Sequence, residues 1–410
     1  MWQGLVNAML TRFVRDGQLA VDYPDGTARR YGPGGGLAAR VTLGDAGLVR
    51  ALCLDPEMAL GEGYMDGRLT VEGDRLHEFM TLLLRNRRRG GLPRWARGAD
   101  AARFALRAWL QRNTPNTARS NVAHHYDISN DFYRMFLDDD LQYSCAYFNH
   151  PDLTLEQAQS AKKAHIAAKL LIEPDMRVLD IGCGWGGMAI TLARDYGARV
   201  TGVTLSKNQL ALAQQRVEEA GLADRVTLRL VDYRALKGPF DRIVSVGMLE
   251  HVGTPHYPEY FGQVRDLLTP QGVALIHTIG RVDPPASQSG WMQKYIFPGG
   301  YVPSLSELAR PVERTGLWLT DLEIWRSHYA RTLLEWRLRF EARLDDIRAM
   351  YDERFVRMWR YYLVACQATF EVDRQGVFQL QLAKSRDAVP LSRDYIATRR
   401  APVHAGLAAQ

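Results

Sequence analysis

Between Leu170 and Gly316 the hydrophobic positions form short apolar runs that are separated by longer amphipathic stretches. The runs predict β-strands, and stretches such as Asn208–Ala220 and Tyr257–Leu268 predict helices. Strands that alternate with helices indicate a parallel sheet covered by helices on both faces. The predicted strands are Arg177–Ile181, Arg199–Thr204, Val226–Val231, Arg242–Val246 and Val273–Thr278.

The first 95 residues have a different pattern, in which short strand-like stretches mix with short helical ones. A Pro24-Asp25-Gly26 turn between two strand-like stretches predicts a hairpin. Asp residues directly before apolar helical runs predict N-caps. We therefore predict a small α+β domain. Its predicted elements are the hairpin Gln18–Tyr23 with Thr27–Tyr31, and the helices Leu48–Leu54 and Leu76–Leu84 with Asp45 and Asp74 as N-caps.

Glycines and prolines interrupt the chain between these two patterns, which predicts a linker with one helical piece, Ala101–Gln111. Beyond Gly316, residues Leu333–Phe370 are mainly helical in pattern and are rich in aromatic residues and arginine. We predict an N-terminal α+β domain (1–95), an Arg-rich linker (96–120) and an α/β domain (121–410) with a helical cap.

The 410-residue chain is 46% hydrophobic and 24% charged, which is typical of a globular protein and excludes global disorder. No uncharged apolar run reaches the ~18 residues of a membrane-spanning helix. The four cysteines, Cys53, Cys145, Cys183 and Cys366, lie far apart without a CxxC pair. We expect reduced thiols in the cytoplasm rather than disulfides or a zinc site.

Positive charge is concentrated in one segment, since residues 85–112 contain nine arginines and a single acid, Asp100. This segment has a net charge of +8, whereas the whole chain has a net charge of +6. The rest of the chain is therefore mildly acidic, at −2. Such a segment is compatible with nucleic acid, with anionic lipid headgroups or with solvent.

A glycine-rich loop, Asp180-Ile181-Gly182-Cys183-Gly184-Trp185-Gly186-Gly187, follows the first predicted strand and opens a helix. The G-x-G-x-x-G spacing suits a dinucleotide or S-adenosylmethionine. A dinucleotide site requires an acid at the end of the second strand, where Thr204 stands instead. The third strand ends in Asp232-Tyr233, an acid and an aromatic wall for an adenine. The spacing therefore favours S-adenosylmethionine over NAD and over a turn that binds nothing.

His124, His125 and Asp127 are metal-ligand types, but adjacent side chains usually point in different directions. No other cluster in the sequence has metal-ligand spacing, so we predict no metal.

Several motifs make the chain resemble the cyclopropane-fatty-acyl-phospholipid synthase family, relatives of the mycolic acid cyclopropane synthases. The resemblance spans residues 121–340, and the extra domain of the phospholipid-acting members resembles residues 1–95 more loosely. The motifs are HYDISNDFYRMFLD (125–138), LQYSCAYF (141–148), LDIGCGWGG (179–187), GVTLSKNQ (202–209), MLEHVG (248–253), HTIG (277–280), KYIFPGGYVPS (294–304) and HYARTLLEW (328–336).

The resemblance implies a Rossmann-like S-adenosylmethionine-dependent methyltransferase domain with two sets of site residues. The cofactor pocket falls on Tyr143, Ser144, Asp180, Gly182, Gly184, Thr204, Gln209, Asp232 and Tyr233. A bicarbonate ion falls on Cys145, Glu250, His277, the Ile279 backbone and Tyr329, and the four side chains of this set are the implied catalytic residues.

The implied reaction adds a methylene group to the cis double bond of an unsaturated phospholipid acyl chain. Methyl transfer to an alkene gives a carbocation, and closing the ring requires a base that bound bicarbonate would supply. A fatty acyl C-methyltransferase that makes methylene- or methyl-branched chains is the alternative, because the same cation can lose a different proton.

The resemblance also implies where the enzyme acts and with what. We expect a cytoplasmic homodimer, peripherally associated with the inner face of the membrane, and the arginines of residues 85–112 then favour an anionic membrane surface. A nucleic-acid methyltransferase would need an NPPY-like motif after the fourth strand, where MLEHVG (248–253) stands, or a Pro-Cys motif, which does not occur in the sequence. A lipid-binding protein without activity is disfavoured by the intact ligand residues. We therefore expect no nucleic-acid partner.

Overall fold

The computed structural model describes residues 1–89, 98, 104, 111 and 128–399. The predicted linker and its helix Ala101–Gln111, apart from those three positions, lie outside the described residues, as do His124, His125 and Asp127.

Helices and strands alternate along most of the described chain, and no helix among them is both long and apolar enough to cross a membrane. The strands are β1 (Gln18–Asp22), β2 (Ala28–Tyr31), β3 (Ala38–Leu43), β4 (Leu69–Val71), β5 (Arg177–Ile181), β6 (Arg199–Thr204), β7 (Val226–Leu230), β8 (Phe240–Val246), β9 (Leu268–Arg281), β10 (Trp318–Trp325) and β11 (Gln375–Ala383). The helices are α1 (Trp2–Phe13), α2 (Ala46–Leu54), α3 (Pro56–Met65), α4 (Leu76–Arg88), α5 (Asn130–Arg134), α6 (Leu155–Lys169), α7 (Gly187–Tyr196), α8 (Lys207–Glu219), α9 (Tyr257–Leu267), α10 (Gly290–Tyr295), α11 (Leu305–Thr315), α12 (His328–Glu341), α13 (Leu344–Met350), α14 (Glu353–Val372) and α15 (Asp394–Thr398).

The described chain forms two compact units, each built from separate stretches of sequence. One unit comprises Met1–Arg107, Ala286–Pro298 and Ala330–Gln375, and the other comprises Ala108–Pro285, Gly299–Tyr329 and Gly376–Gln410.

The second unit contains a seven-stranded sheet in the order β10-β11-β9-β8-β5-β6-β7. The pairs from β9 to β7 are parallel, as predicted, and β10 pairs antiparallel with β11 at one edge. Buried apolar clusters lie on both faces of the sheet, where helices cover it. The predicted α/β fold is therefore confirmed. The antiparallel edge was missed, because β11 begins beyond the stretch that was interpreted as helical.

The first unit contains a four-stranded sheet in the order β2-β1-β3-β4. The predicted hairpin is confirmed, with Leu19 opposite Tyr31 in an antiparallel pair. The Asp45 cap is confirmed too, because its side chain accepts the Leu48 N–H at 2.9 Å.

The predicted Asp74 cap is wrong. The helix that follows begins at Leu76, and Arg75 stands at its N-cap without a side-chain cap bond. Asp74 has a left-handed φ of 59°. Its carboxylate is engaged by the Arg360 guanidinium, whose position in space the sequence pattern could not show.

The first unit also includes segments that lie far from the N-terminus in sequence. Helix α14 packs against α3 and α4, and α10 packs against α3. The buried Trp291 of α10 donates its indole N–H to Met65 Sδ at 3.2 Å. Spatial grouping thus divides the chain differently from the predicted domain bounds, and those bounds stay a prediction.

Candidate active site

The glycine-rich loop joins the carboxyl end of β5 to the start of α7 and bends through left-handed backbone. Gly182 has φ 83° and Gly184 has φ 54°, values that side chains with a Cβ rarely adopt. A Cβ on Gly182 would also lie 3.1 Å from the Met248 side chain. Glycine at 182 is therefore required both by the backbone conformation and by the close approach of the loop after β8.

A cleft of about 170 Å³ opens beside this loop, and its walls come from the ends of β5, β6, β7 and β8. All nine predicted cofactor residues lie on its walls. They are Tyr143, Ser144, Asp180, Gly182, Gly184, Thr204, Gln209, Asp232 and Tyr233.

Asp180 has the chemistry that a cationic ligand requires. The side chain is buried, and its Oδ2 has no hydrogen-bond partner in the described part of the chain. Burial raises the pKa of this carboxyl to about 7, against the opposing charge of Lys162. A buried acceptor on the wall of a cleft fits the ammonium group of S-adenosylmethionine, so the cleft suits that cofactor.

Asp232 is held differently from what the sequence suggested. Both of its oxygens are engaged by Arg234, with Nε at 2.9 Å and Nη2 at 2.6 Å. A carboxylate has about four lone-pair sites, so an adenine amino group can still donate to it. Arg234 also lines the cleft and was not among the predicted residues.

Lys162 is a second residue that the sequence did not point out. It is fully buried on α6, and its ammonium donates to Gln142 Oε1 and Ser144 Oγ, both at 2.7 Å. Burial lowers its pKa to about 8. Its hydrogen bonds hold two residues of the cleft wall in place. A lysine in a helix usually faces solvent, so no pattern in the sequence distinguishes it.

Two of the five predicted bicarbonate ligands are in contact, where the loop after β8 meets β9. Glu250 Oε1 accepts the Ile279 N–H at 2.7 Å, so this backbone donor is already engaged by the carboxyl group. Glu250 Oε2 has no hydrogen-bond partner among the described residues. His277 lies two residues before Ile279 on β9 and is buried.

Burial controls the charge of this group of side chains. Desolvation raises the pKa of Glu250 to about 7. Desolvation, helped by the charges of Lys162 and Lys169, holds the pKa of His277 well below its usual value, so the ring is neutral. A neutral imidazole and a carboxyl that is protonated for part of the time can both donate to an anion.

The other two predicted ligands are also buried. Cys145 Sγ donates to the Ala146 carbonyl at 3.3 Å and lies within the electrostatic reach of Lys162. Tyr329 lies in the first turn of α12. None of the five predicted bicarbonate ligands is part of the cleft lining, although His251, next to Glu250, is. Within the described ranges, no group of three or more His, Cys, Asp or Glu residues could hold a metal.

A mostly parallel seven-stranded sheet, a glycine loop after β5 and acids at two strand ends together define an S-adenosylmethionine-dependent methyltransferase. Comparison with known proteins makes this class more specific. The family model described as mycolic acid cyclopropane synthetase matches residues 113–380, and a domain of unknown function (DUF7884) matches residues 5–89. The chain belongs to the mycolic acid cyclopropane synthetase family.

The relatives agree with this assignment. The chain is 42% identical over 327 residues to the cyclopropane-fatty-acyl-phospholipid synthase of Escherichia coli (strain K12), covering 80% of this chain and 83% of that one. It is 44% identical over 341 residues to a probable fatty acid methyltransferase of Pseudomonas putida, covering 79% and 82%. The crystal structure of mycolic acid cyclopropane synthase CmaA1 with SAH and CTAB superimposes with a TM-score of 0.62 at 34% identity, covering 65% and 98%.

Proposed function

We propose that this enzyme transfers a methylene group from S-adenosylmethionine to the cis double bond of an unsaturated phospholipid acyl chain and forms a cyclopropane ring. The observation that carries the proposal is the buried Glu250 carboxyl, bonded to the Ile279 amide beside His277. Methyl transfer to an alkene leaves a carbocation with no acidic O–H or N–H to lose. Ring closure therefore needs a base for a C–H proton, and a buried carboxyl beside a backbone amide is a place where such a base can be held.

The residues of the cleft have definable tasks in binding the cofactor. Asp180 accepts hydrogen bonds from a cationic amine, and Gly182 and Gly184 let a ligand approach the backbone closely. Lys162 keeps Ser144 in place at the wall. S-adenosylmethionine, when bound, supplies an electrophilic methyl group.

The second group of residues serves the steps after methyl transfer. An alkene carbon attacks the methyl group, and the neighbouring carbon becomes a cation. Ring closure breaks one C–H bond of the new methyl group, and that electron pair forms the last C–C bond of the ring. Bicarbonate, when bound, supplies the base for this proton. Cys145, Glu250, His277, the Ile279 amide and Tyr329 would hold the anion through hydrogen bonds.

A branched product is the second candidate, and it is favoured by one observation. The Pseudomonas putida relative is named a probable fatty acid methyltransferase. Both reactions begin with the same cation and differ in which proton leaves. The position of the base relative to the cation therefore decides the product.

The proposal includes a lipid surface as the place of action. The Escherichia coli relative is named for a phospholipid substrate. Four arginines at the end of α4, at positions 85, 87, 88 and 89, are exposed and can attract anionic headgroups. We include peripheral association with the inner face of the membrane and a homodimer in the proposal.

The test uses the full chain, S-adenosylmethionine with a deuterated methyl group, and vesicles of dioleoyl phosphatidylglycerol. Mass spectrometry and proton NMR of the acyl chains should show cyclopropane signals and the loss of one deuterium from the transferred methyl. Bicarbonate-depleted buffer should slow turnover, and bicarbonate should restore it. A methyl branch that keeps all of the deuterium, or a methylene branch, would overturn ring formation. Vesicles of saturated phospholipid are the control and should give no product.

A further inference from the structure

A row of buried polar side chains runs behind His277, away from the sequence motifs. Gln379 of β11 places its Nε2 at 3.1 Å from His277 Nδ1. Lys169, the last residue of α6, donates to Gln379 Oε1 at 3.3 Å. Lys169 and Gln379 are fully buried, and His277 is 2% exposed.

The direction of the hydrogen bonds in this row is fixed at its Lys169 end. The ammonium of Lys169 forms ion pairs with Asp321 at 2.6 Å and with Glu323 at 2.9 Å. An ammonium that pairs with two carboxylates can only donate hydrogen bonds. The amide oxygen of Gln379 must therefore face Lys169, and its NH₂ group must face His277.

This orientation determines the tautomer of the His277 ring. The amide NH₂ group of Gln379 can only donate, so Nδ1 must accept. A neutral imidazole that accepts at Nδ1 carries its proton at Nε2. The low pKa of His277 agrees with a neutral ring. The Trp325 ring meets His277 edge-to-face, with centroids 5.1 Å apart, and limits rotation of the imidazole.

We propose that Gln379, oriented by Lys169, is a positioning residue that holds His277 as the Nε2–H tautomer, so that the ring presents a donor to a small oxyanion. The inference rests on the proposed function, in which His277 helps to hold bicarbonate. Without this orientation, a neutral His277 with its proton on Nδ1 would offer the anion a lone pair instead of a donor. The proposal adds Gln379 and Lys169 to the residues on which the anion site depends.

The variants separate orientation from packing. Gln379→Glu replaces the NH₂ group by an acceptor, which stays compatible with Lys169 and forces the His277 proton onto Nδ1. Lys169→Met removes the group that orients the amide. Gln381→Leu is the matched control, because Gln381 is also buried on β11 and its Nε2 donates to Tyr395 Oη at 2.7 Å and to the Lys169 carbonyl, but neither to the Lys169 ammonium nor to His277.

The first measurement is two-bond ¹H–¹⁵N correlation NMR on the full chain labelled with ¹⁵N-histidine, with His277→Gln used for assignment. We expect a protonated Nε2 in the wild type and in Gln381→Leu, a protonated Nδ1 in Gln379→Glu, and a mixture in Lys169→Met. A protonated Nδ1 in the wild type, or an unchanged tautomer in Gln379→Glu, would overturn the proposal.

The second measurement is the bicarbonate concentration at half-maximal turnover. We expect it to rise about tenfold in Gln379→Glu with the KM for S-adenosylmethionine unchanged. The two measurements also separate this inference from the proposed function. Wild-type turnover that is independent of bicarbonate would overturn the anion role while the NMR result still reports the tautomer.

Discussion

Asp180 and Glu250 are the two residues whose surroundings differ most from those of ordinary acids. Each is buried and keeps one oxygen without a hydrogen-bond partner among the described residues. Burial raises both pKa values to about 7, well above the ordinary range of carboxyl groups. The folded state therefore binds more protons than the unfolded state. Stability from these groups is fully present below about pH 4 and is lost as the pH rises towards 7.

We expect Asp180→Asn to weaken cofactor binding and to stabilise the ligand-free protein. Removing the acceptor of the ammonium should lower the affinity for S-adenosylhomocysteine about tenfold or more. Removing a buried carboxyl whose ionisation is disfavoured by desolvation should raise the free energy of unfolding at pH 8 by about 1–3 kcal/mol, with little change at pH 4. Calorimetry and urea unfolding at both pH values measure these effects.

Asp175→Asn is the control for this variant, because Asp175 is 64% exposed in the turn before β5. It should leave the affinity unchanged. Wild-type affinity in Asp180→Asn would contradict the assignment of Asp180 to the cofactor.

We expect Glu250→Gln and Cys145→Ser to lower turnover about 100-fold or more, since each removes a group that holds the base. Cofactor affinity should change little, because neither residue lines the cleft. Product formation and S-adenosylhomocysteine binding, measured on the same preparations, separate the two effects. Glu259→Gln, at a half-exposed position on α9, is the control. Near-normal turnover in either variant would remove that residue from the anion site.

At the scale of single elements, close packing makes some glycines irreplaceable. A Cβ on Gly61 of α3 would lie 2.3 Å from a ring carbon of Trp291 in α10. We expect Gly61→Ala to lower the free energy of unfolding by about 1–3 kcal/mol through this overlap. Gly4→Ala in α1 is the matched control, because nothing lies within 4 Å of its Cβ, and it should stabilise by about 0.5–1 kcal/mol. Equal effects in chemical denaturation would contradict the packing argument.

Elements with local signals were predictable, and elements set by distant contacts were not. The strands β5 and β6 were predicted to the residue because short stretches rich in Val, Ile and Thr between turn signals mark strands. The cap at Asp45 followed from its place before an apolar run, whereas Asp74 pairs with Arg360, nearly 300 residues away. The cofactor cleft was predicted because it follows a motif. Lys162 and Gln379 were missed because a buried polar side chain has no mark in the sequence.

The end of helix α4 provides a test of the membrane surface. Arg88 donates to the Val372 carbonyl at 2.8 Å and Arg89 pairs with Asp16 at 3.4 Å, so Arg85 and Arg87 are the better choice for substitution. Each arginine near an anionic surface contributes about 1 kcal/mol. We expect Arg85→Ser with Arg87→Ser to weaken sedimentation with phosphatidylglycerol vesicles about tenfold or more at low salt.

The matched control for the vesicle experiment is Arg343→Ser with Arg348→Ser, at exposed positions on α13 and at its N-cap. This control pair should bind vesicles as the wild type does, and neither pair should change binding to neutral vesicles. Unchanged binding of the α4 pair to anionic vesicles would contradict a lipid role for these arginines.

At the scale of the whole molecule, the first unit depends on residues from three separate stretches of the chain. Trp291 is buried against Gly61 and donates to Met65, and its ring contacts Tyr361 with centroids 4.6 Å apart. Tyr361 in turn contacts the Tyr64 ring. A helix that precedes the strands of the seven-stranded sheet in sequence therefore shares one core with helices that lie between its later strands, which explains why bounds drawn along the sequence divide the chain differently.

We expect a chain that starts at residue 96 to lose cooperative folding. This truncation removes α3 and α4 and leaves Trp291 and Tyr361 without their apolar partners. Those two side chains are 1% and 4% exposed in the full chain. Exposing them and the apolar face of α14 to water loses the free energy of burying several large side chains, about 1.5–3 kcal/mol for each. Urea unfolding should show a broad transition or aggregation, and adding the separate 1–95 fragment should restore a cooperative one. A stable, cooperative 96–410 chain with full S-adenosylhomocysteine affinity would instead support an independent domain boundary near residue 95.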